Sequence, residues 1–175
     1  MTTTIVHGID ENGNNIVREY DCENVIINNM KVITEIENIR FIKNLIIGGM
    51  VKEIEVLVHG ESLENVIIDE SVAEINPRFV KSAPVKNAII NARIKELDHM
   101  FECCEHLEYI VLPITIKHIT ELNFTNVYGL TIVYPGTTNA WKRIKKDKEW
   151  YKNSTIKVVC EDGIISYDNN SNEKW

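Results

Sequence analysis

Residues 50–68 read MVKEIEVLVHGESLENVII, and residues 71–90 repeat the same phrase as SVAEINPRFVKSAPVKNAII. In each copy an apolar residue stands three positions before an Ile, and the copy closes on a short run of aliphatic residues. Two more copies follow and a weaker one precedes them, so the starts at Val51, Val72, Ile94 and Ile116 lie roughly 21 or 22 residues apart. A repeat of this length predicts a solenoid whose coils stack on one another.

The aliphatic ends of the phrases predict the strands of one parallel sheet. The residues between two such strands are too few for a full crossover helix, so we expect a 3₁₀ turn or a short helix in each connection. The expected fold is therefore an α/β-type repeat solenoid of mostly β content, with about six parallel strands and hairpin caps at both ends. The expected strands lie near residues 25–27, 45–47, 66–68, 88–90, 110–112 and 132–134.

The chain divides into four segments. Residues 1–27 form an N-terminal hairpin cap and a first strand, because two strand-like stretches, 3–9 and 15–20, flank an Asn-Gly turn signal. Residues 28–136 are the repeats. Residues 137–167 form a C-terminal cap, and residues 168–175 are polar and expected to be frayed. The cap consists of a helix from Thr138 to about Lys148, with Trp141 and Ile144 on one face, and a hairpin of residues 155–160 and 164–167.

The composition limits the range of possible functions. The 175 residues suffice for one domain with a real core, and the formal charge of −7 argues against nucleic-acid binding. No apolar run is long enough to span a membrane, and the first eight residues lack the basic and apolar regions of a signal peptide. We expect a cytoplasmic protein, or a virion component if the chain is viral; a surface location requires that a leader was removed. The four cysteines make no disulfide scaffold at this length and are expected to be reduced.

The connections carry a pattern of their own. Phe101-x-x-Cys104-x-x-Leu107 is matched by Phe79-x-x-Ser82-x-x-Val85 and Leu57-x-x-Gly60-x-x-Leu63, which we interpret as large, small and large core residues. Together with the phrase at residues 68–75 and the ending at residues 134–144, this pattern resembles the BspA-type leucine-rich repeat family over about residues 28–165. The resemblance implies a solenoid used for binding, commonly by cell-surface or secreted proteins that engage host proteins or surfaces.

Side chains alternate between the two faces of a strand, so the residues between the core positions point outward. They form one apolar column, here called the ridge, which would be roughly 24 Å long over six strands. An asparagine-rich column flanks it on one side, and Gly48, Asp69, Asn91, Pro113 and Pro135 lie on the other. The ridge consists of Ile46, Ile67, Ile89, Val111 and Val133, with Ile26 extending it, and the first flank consists of Asn44, Asn65, Asn87, Tyr109 and Thr131.

Two interpretations of the ridge stay open. Parallel sheets are rich in aliphatic residues in any case, and a terminal segment of the chain could cover this face. Alternatively, the ridge is a contact surface, since a continuous exposed apolar strip seldom lacks a function. Asn and Tyr beside it would suit a polar rim around an apolar centre. On this hypothesis the partner-binding residues are Ile46, Ile67, Ile89, Val111, Val133, Asn65, Asn87 and Tyr109.

Other groups of polar residues have simpler structural explanations. The spacing of His99, Cys103, Cys104 and His106 matches no standard zinc pattern, and Cys104 occupies the small position of its repeat. Asp10, Asn12, Asn14 and Asp21 resemble a calcium loop, but Gly13 is misplaced and both flanks are strand-like, so we expect a turn. The basic run at residues 142–148 is interpreted as a solvated helix face rather than a docking patch, and Trp141 as cap core rather than a ligand platform.

No phosphate-binding glycine loop, serine elbow or other nucleophile motif is present, so we expect no enzyme, no cofactor and no metal. The expected function is a protein-binding module that presents its apolar sheet face to a protein partner, without binding nucleic acid or inserting into a membrane. The alternative is a structural or assembly subunit, of a surface layer or a viral or phage particle, that self-associates or packs through the same face. A third hypothesis is an effector or inhibitor that blocks an enzyme with its solenoid face.

Overall fold

The computed structural model describes residues 3–21 and 23–168, which fold into a β-solenoid of about six turns. These residues form eighteen strands, one short α-helix and one 3₁₀ turn at Ile39–Phe41. The elements are β1 (Thr4–Ile9), β2 (Asn15–Tyr20), β3 (Asn24–Ile27), β4 (Val32–Glu37), β5 (Asn44–Ile47), β6 (Glu53–Ile54), β7 (Asn65–Ile68), β8 (Glu74–Ile75), β9 (Asn87–Ile90), β10 (Glu96–Leu97), β11 (Tyr109–Val111), β12 (His118–Ile119), β13 (Phe124–Thr125), β14 (Tyr128–Val133), α1 (Thr138–Arg143), β15 (Lys145–Lys146), β16 (Tyr151–Lys152), β17 (Thr155–Cys160) and β18 (Gly163–Asp168).

The main sheet has eight strands in the order β18-β17-β14-β11-β9-β7-β5-β3. From β3 to β17 every pair is parallel, so each coil adds one strand; the register is continuous except for a shift between Tyr128 and Leu130 where β14 pairs with β17. The six strands expected from the sequence are all present, within a few residues of the expected bounds. The closing hairpin of β17 and β18 is antiparallel and completes the sheet.

The expected 3₁₀ turn is present in the connection between β4 and β5, at Ile39–Phe41, and most other connections differ from the expected helical turns. Most coils return through a two-residue strand, and these strands pair in parallel to build further small sheets on the other side of the solenoid. In β6 the side chain of Ile54 points into the core while Glu53 lies at the surface. Each of these coils supplies one inward aliphatic and one outward polar residue, which is the alternation of a strand, and the neighbouring coils supply the backbone hydrogen bonds.

The core lies between these sheets and is formed by alternate strand residues. Leu107, Ile110 and Leu112 are 0–1% exposed, as the sequence predicts, and Ile110 is flanked by the buried Ala88 and Ile132 of the neighbouring strands. The reversed register would have buried the ridge instead.

Two of the three connection phrases do not fill the core as expected. In the segment 101–107 all three positions are buried, but Leu57 is 40% exposed and Ser82 lies at the surface. Ala83 takes the small buried position in its coil. The reason is a shift of one residue: Ser82 and Cys103 share a positive φ of 61°, so Ser82 corresponds to the surface residue Cys103 and not to Cys104.

Both caps contain the expected hairpins, but the C-terminal helix is shorter than expected and the closing strand is longer. The β1–β2 hairpin pairs through β1 with β4, so it extends the five-stranded sheet β2-β1-β4-β6-β8, here called the smaller sheet, and places Val6 in the core. Helix α1 ends at Arg143 and not near Lys148, because Lys145 and Lys146 form β15 and pair with β12. Asp168, expected in the frayed tail, is the last residue of β18; residues 169–175 lie outside the described part of the chain.

Candidate functional site

The ridge lies on the outer face of the main sheet. Strand pairing places its six residues directly beside one another, from Ile26 on β3 to Val133 on β14. The five inner residues are half-buried, because each is flanked by aliphatic side chains about 4.8 Å away on both sides. Ile26, at the edge of the sheet, is 51% exposed. The predicted outward orientation of this column is confirmed.

The ridge continues further than the sequence suggested. Val133 pairs with Val159 on β17, and Val159 pairs with Ile164 on β18, whose side chain is 59% exposed. These two residues carry the apolar column across all eight strands, a length of roughly 34 Å at 4.8 Å per strand. An apolar strip that runs from one sheet edge to the other is the main surface feature of the described residues.

A ladder of asparagine side chains runs beside the ridge. The side-chain amide of Asn44 donates to Oδ1 of Asn24 at 2.6 Å, Asn65 donates to Asn44 at 2.6 Å, and Asn87 donates to Asn65 at 2.9 Å. Each inner amide thus donates to one coil and accepts from the next, so the ladder locks the coils in register. The next residue in this column, Tyr109, is 37% exposed and has no ladder partner among these bonds.

The residues one position before the asparagines are charged, and the sign of the charge alternates from one strand to the next. Lys86 Nζ lies 3.2 Å from a carboxylate oxygen of Glu64, and Lys43 Nζ lies 3.9 Å from the other. Exposed pairs of this kind contribute little to stability. They do make the asparagine side of the ridge electrically balanced.

The opposite side of the ridge is a groove of about 780 Å³. Its floor includes Ile46, Ile67 and Val111, and its far wall includes Ile114, which is 50% exposed. A Cβ at Gly136 would lie 2.7 Å from Cδ1 of Ile114, so this glycine makes room for the Ile114 side chain. The groove therefore joins the ridge to a second apolar surface.

Charged groups of both signs border the groove. Asp69, Glu70 and Arg93 line it, and all three are exposed. One Asp69 carboxylate oxygen accepts a hydrogen bond from the backbone N–H of Ser71 at 3.2 Å, which orients the side chain. The groove can thus accommodate aliphatic groups on its floor and a cationic group beside its two carboxylates.

Of the four candidate metal ligands, Cys104 and His99 have partners within the fold. Cys104 is fully buried and its thiol donates to the carbonyl of Val80 at 3.1 Å, while Cys103 is exposed. Burial raises the pKa of Cys104 to about 12. His99 contacts the carboxylate of Asp98 at 2.7 Å. Within residues 3–21 and 23–168, no three His, Cys, Asp or Glu side chains are grouped as metal ligands would be.

The calcium-like stretch of the first hairpin is a turn. One Asp10 carboxylate oxygen accepts the backbone N–H groups of Asn12 and Asn14 at 2.8 and 2.9 Å. The other oxygen accepts the Asn14 side-chain amide, and hydrogen bonds from Asn14 hold the pKa of Asp10 below its usual value. The carboxylate is therefore used in closing the turn.

An aromatic cluster fills the C-terminal cap. Trp141 is fully buried, lies against Tyr134 and Trp150, and donates from Nε1 to the hydroxyl of Tyr167 at 2.9 Å. Lys146 Nζ lies 4.7 Å from the Trp141 ring centre and donates to two backbone carbonyls, and burial lowers the pKa of Lys146 to about 8. Trp141 is thus cap core, as predicted, and the basic run is divided between helix, strand and turn.

Scans of the chain against protein-family models, curated proteins and solved structures return no match. None of the helices within the described residues is long and apolar enough to cross a membrane. The class that the geometry defines is a β-solenoid with one apolar face.

Sequence reasoning missed three residues of this face. Val159 and Ile164 belong to the closing hairpin, and their alternation with core residues was the available signal. Ile114 follows the strand of its coil and carried no periodic signal, since its exposure depends on how the turn folds over Gly136. Cys22 lies outside the described residues.

Proposed function

We propose that this protein is a non-enzymatic binding module that holds a protein partner on the ridge and in the adjoining groove. The observation that carries the proposal is the apolar column from Ile26 to Ile164, which keeps its side chains on the outer face along the whole sheet. Large contiguous apolar surfaces of folded proteins commonly mark interaction sites.

The partner that fits this surface presents aliphatic side chains to the ridge and a lysine or arginine to the groove. Asp69 and Glu70 supply two carboxylates at the groove, and the formal charge of −7 makes the whole protein attractive to a basic partner. Tyr109 and the asparagine ladder form the polar margin on the other side. Such an arrangement of apolar centre and polar rim is typical of protein interfaces.

We also propose that the coils are leucine-rich repeats of the BspA type. The spacing of 21 or 22 residues and the phrase from Phe101 to Leu107, whose three core positions are buried, support this assignment.

Self-association through the same face is the second candidate function. It is favoured by the ridge reaching both edges of the sheet, at Ile26 and Ile164, because a second chain would then meet an unbroken apolar surface. The chain would act as a structural or assembly subunit in that case.

Site-specific photo-cross-linking in the native source tests the proposal. A photoreactive side chain is placed at Ile67 on the ridge, and the matched control carries it at Glu74, an exposed residue on the smaller sheet. The proposal expects one discrete adduct from position 67 and none from position 74. An adduct of twice the chain mass selects self-association, and adducts from position 74 alone contradict a binding role for the ridge.

A further inference from the structure

Strand β18 forms the outer edge of the main sheet. In the described part of the chain β18 is the terminal strand of the sheet, and β17 is the one strand that pairs with it. On the inner face the Tyr167 hydroxyl accepts a hydrogen bond from Trp141 of α1. Strand β18 is six residues long, contains neither proline nor lysine, and pairs with β17 without a register shift. Charged residues, prolines and bulges are the usual means of blocking an edge strand, and residues 163–167 of β18 have none of them.

The backbone groups that face outward on β18 follow from its pairing. Cys160 and Gly163 are opposite each other at the hairpin turn, and hydrogen-bonded positions alternate along an antiparallel pair. The N–H and C=O groups of Gly163 and Ile165 therefore point toward β17. Those of Ile164 and Ser166 point away from the sheet and can bond to an added strand.

The edge is joined to the ridge. Ile164 is the terminal member of the apolar column and is 59% exposed, against 51% for Ile26 at the other end of the column. An added strand would place every second side chain on the outer face, and one of them would lie beside Ile164. An aliphatic residue at that position would continue the ridge by one more strand.

The charges at the edge select the kind of strand. Glu161 is exposed at the turn before β18, and Asp168 ends the strand. The Asp162 carboxylate in the same turn accepts hydrogen bonds from the backbone N–H and Oγ1 of Thr138, so it keeps its charge but is held against α1. In an antiparallel pair of two copies centred on Ile165, Asp162 of one copy would lie opposite Asp168 of the other, and like charges directly opposite are unfavourable. A strand from a different protein, with cationic residues at its ends, meets complementary charge instead.

We propose that β18 is a docking strand, to which the partner adds an extended segment with alternate aliphatic residues and flanking lysine or arginine residues. The added segment bonds to the outward N–H and C=O groups of Ile164 and Ser166, a mode of recognition known as strand addition. The proposal rests on the proposed function in one respect: it assigns the edge and the ridge to one partner.

Amide hydrogen exchange with a defined peptide tests the proposal. The probe is a seven-residue peptide, Lys-Ile-Thr-Ile-Thr-Ile-Lys with blocked ends, and a second peptide replaces both lysines with glutamates. We expect the amides of Ile164 and Ser166 to exchange at least tenfold more slowly with the lysine peptide, and the glutamate peptide to have a smaller effect at low salt. No protection of these amides at millimolar lysine peptide overturns the proposal.

Three variants sharpen the test. Ser166→Pro removes an outward N–H without removing a bond to β17, so it should abolish the protection while circular dichroism shows an intact fold. If the proline variant does not fold, Ile164→Lys should abolish the protection instead, because it places a positive charge at the edge. Ile67→Thr with Ile89→Thr changes the ridge but not the edge strand. Protection of the β18 amides by the peptide should therefore persist in this variant, whether or not the ridge binds a partner.

Two further outcomes contradict the proposal. Protection of Ile164 and Ser166 that rises with protein concentration, without peptide, assigns the edge to a second copy. Protection that disappears when residues 169–175 are deleted assigns it to the chain's own terminus.

Discussion

Replacing Ile110 with alanine should strongly destabilise the solenoid. Ile110 is fully buried in the central strand β11, and the substitution removes three carbon atoms. At about 0.8 kcal/mol for each carbon the lost transfer free energy is roughly 2.4 kcal/mol. A residual cavity adds to this, because Ala88 on one side is too small to fill the space.

We therefore expect Ile110→Ala to lower the free energy of unfolding by about 3–4 kcal/mol. For a chain of this size the thermal midpoint should fall by roughly 10 °C. Val111→Ala is the matched control, since Val111 is the next residue and points outward onto the ridge. It should cost less than about 1 kcal/mol.

Urea denaturation monitored by circular dichroism measures both variants against the parent protein. The expected result is a large loss for position 110 and a small one for position 111. Equal losses, or a larger loss at position 111, would show that the strand register is shifted by one residue. The ridge would then be core, and the proposed binding face would not exist.

Three other properties follow from the structure. Cys104 should react with a thiol reagent at least about 100-fold more slowly than Cys103 at pH 8, because its pKa is raised to about 12 and its sulfur is buried; equal rates would contradict the packing. Asn65→Ala breaks two ladder hydrogen bonds and should cost about 1–2 kcal/mol, against half as much for Asn87→Ala, which breaks one; urea midpoints decide. Lys146 has its pKa lowered to about 8 by burial, so from pH 8 to about 10.5 the unfolded chain binds more protons and stability rises with pH. Urea midpoints at pH 7.5 and 10 should show that gain in the parent protein relative to Lys146→Met, and parallel curves would refute it.

The strands of the main sheet were predictable because their signal repeats. A shift of one residue would move Val66, Ala88 and Ile110 to the surface together, so the phrase specifies one register. The ridge follows from the same alternation, since outward residues are fixed once the inward ones are known.

Features that depend on neighbouring coils were not predictable in the same way. Glu53-Ile54 is too short to show a period of its own, and it is a strand only because Glu74-Ile75 and β4 pair with it. The end of α1 has a similar cause: residues 142–148 favour a helix, but pairing of Lys145 and Lys146 with β12 overrides that local preference. The groove likewise needs the fold, because Ile114 and the ridge are brought together by the turn and not by the repeat.

Binding affinity of the ridge variant tests the central claim most directly. Once cross-linking has identified the partner, its affinity is measured for the parent protein, for Ile67→Thr with Ile89→Thr, and for a control pair on the smaller sheet, Glu53→Gln with Glu74→Gln. Threonine keeps the β-branched shape that strands favour and removes much of the apolar character, so the fold should persist. We expect the ridge variant to bind at least tenfold more weakly, a loss of about 1.4 kcal/mol, and the control pair to bind normally. A folded ridge variant with undiminished affinity would contradict the assignment of this face as the binding surface.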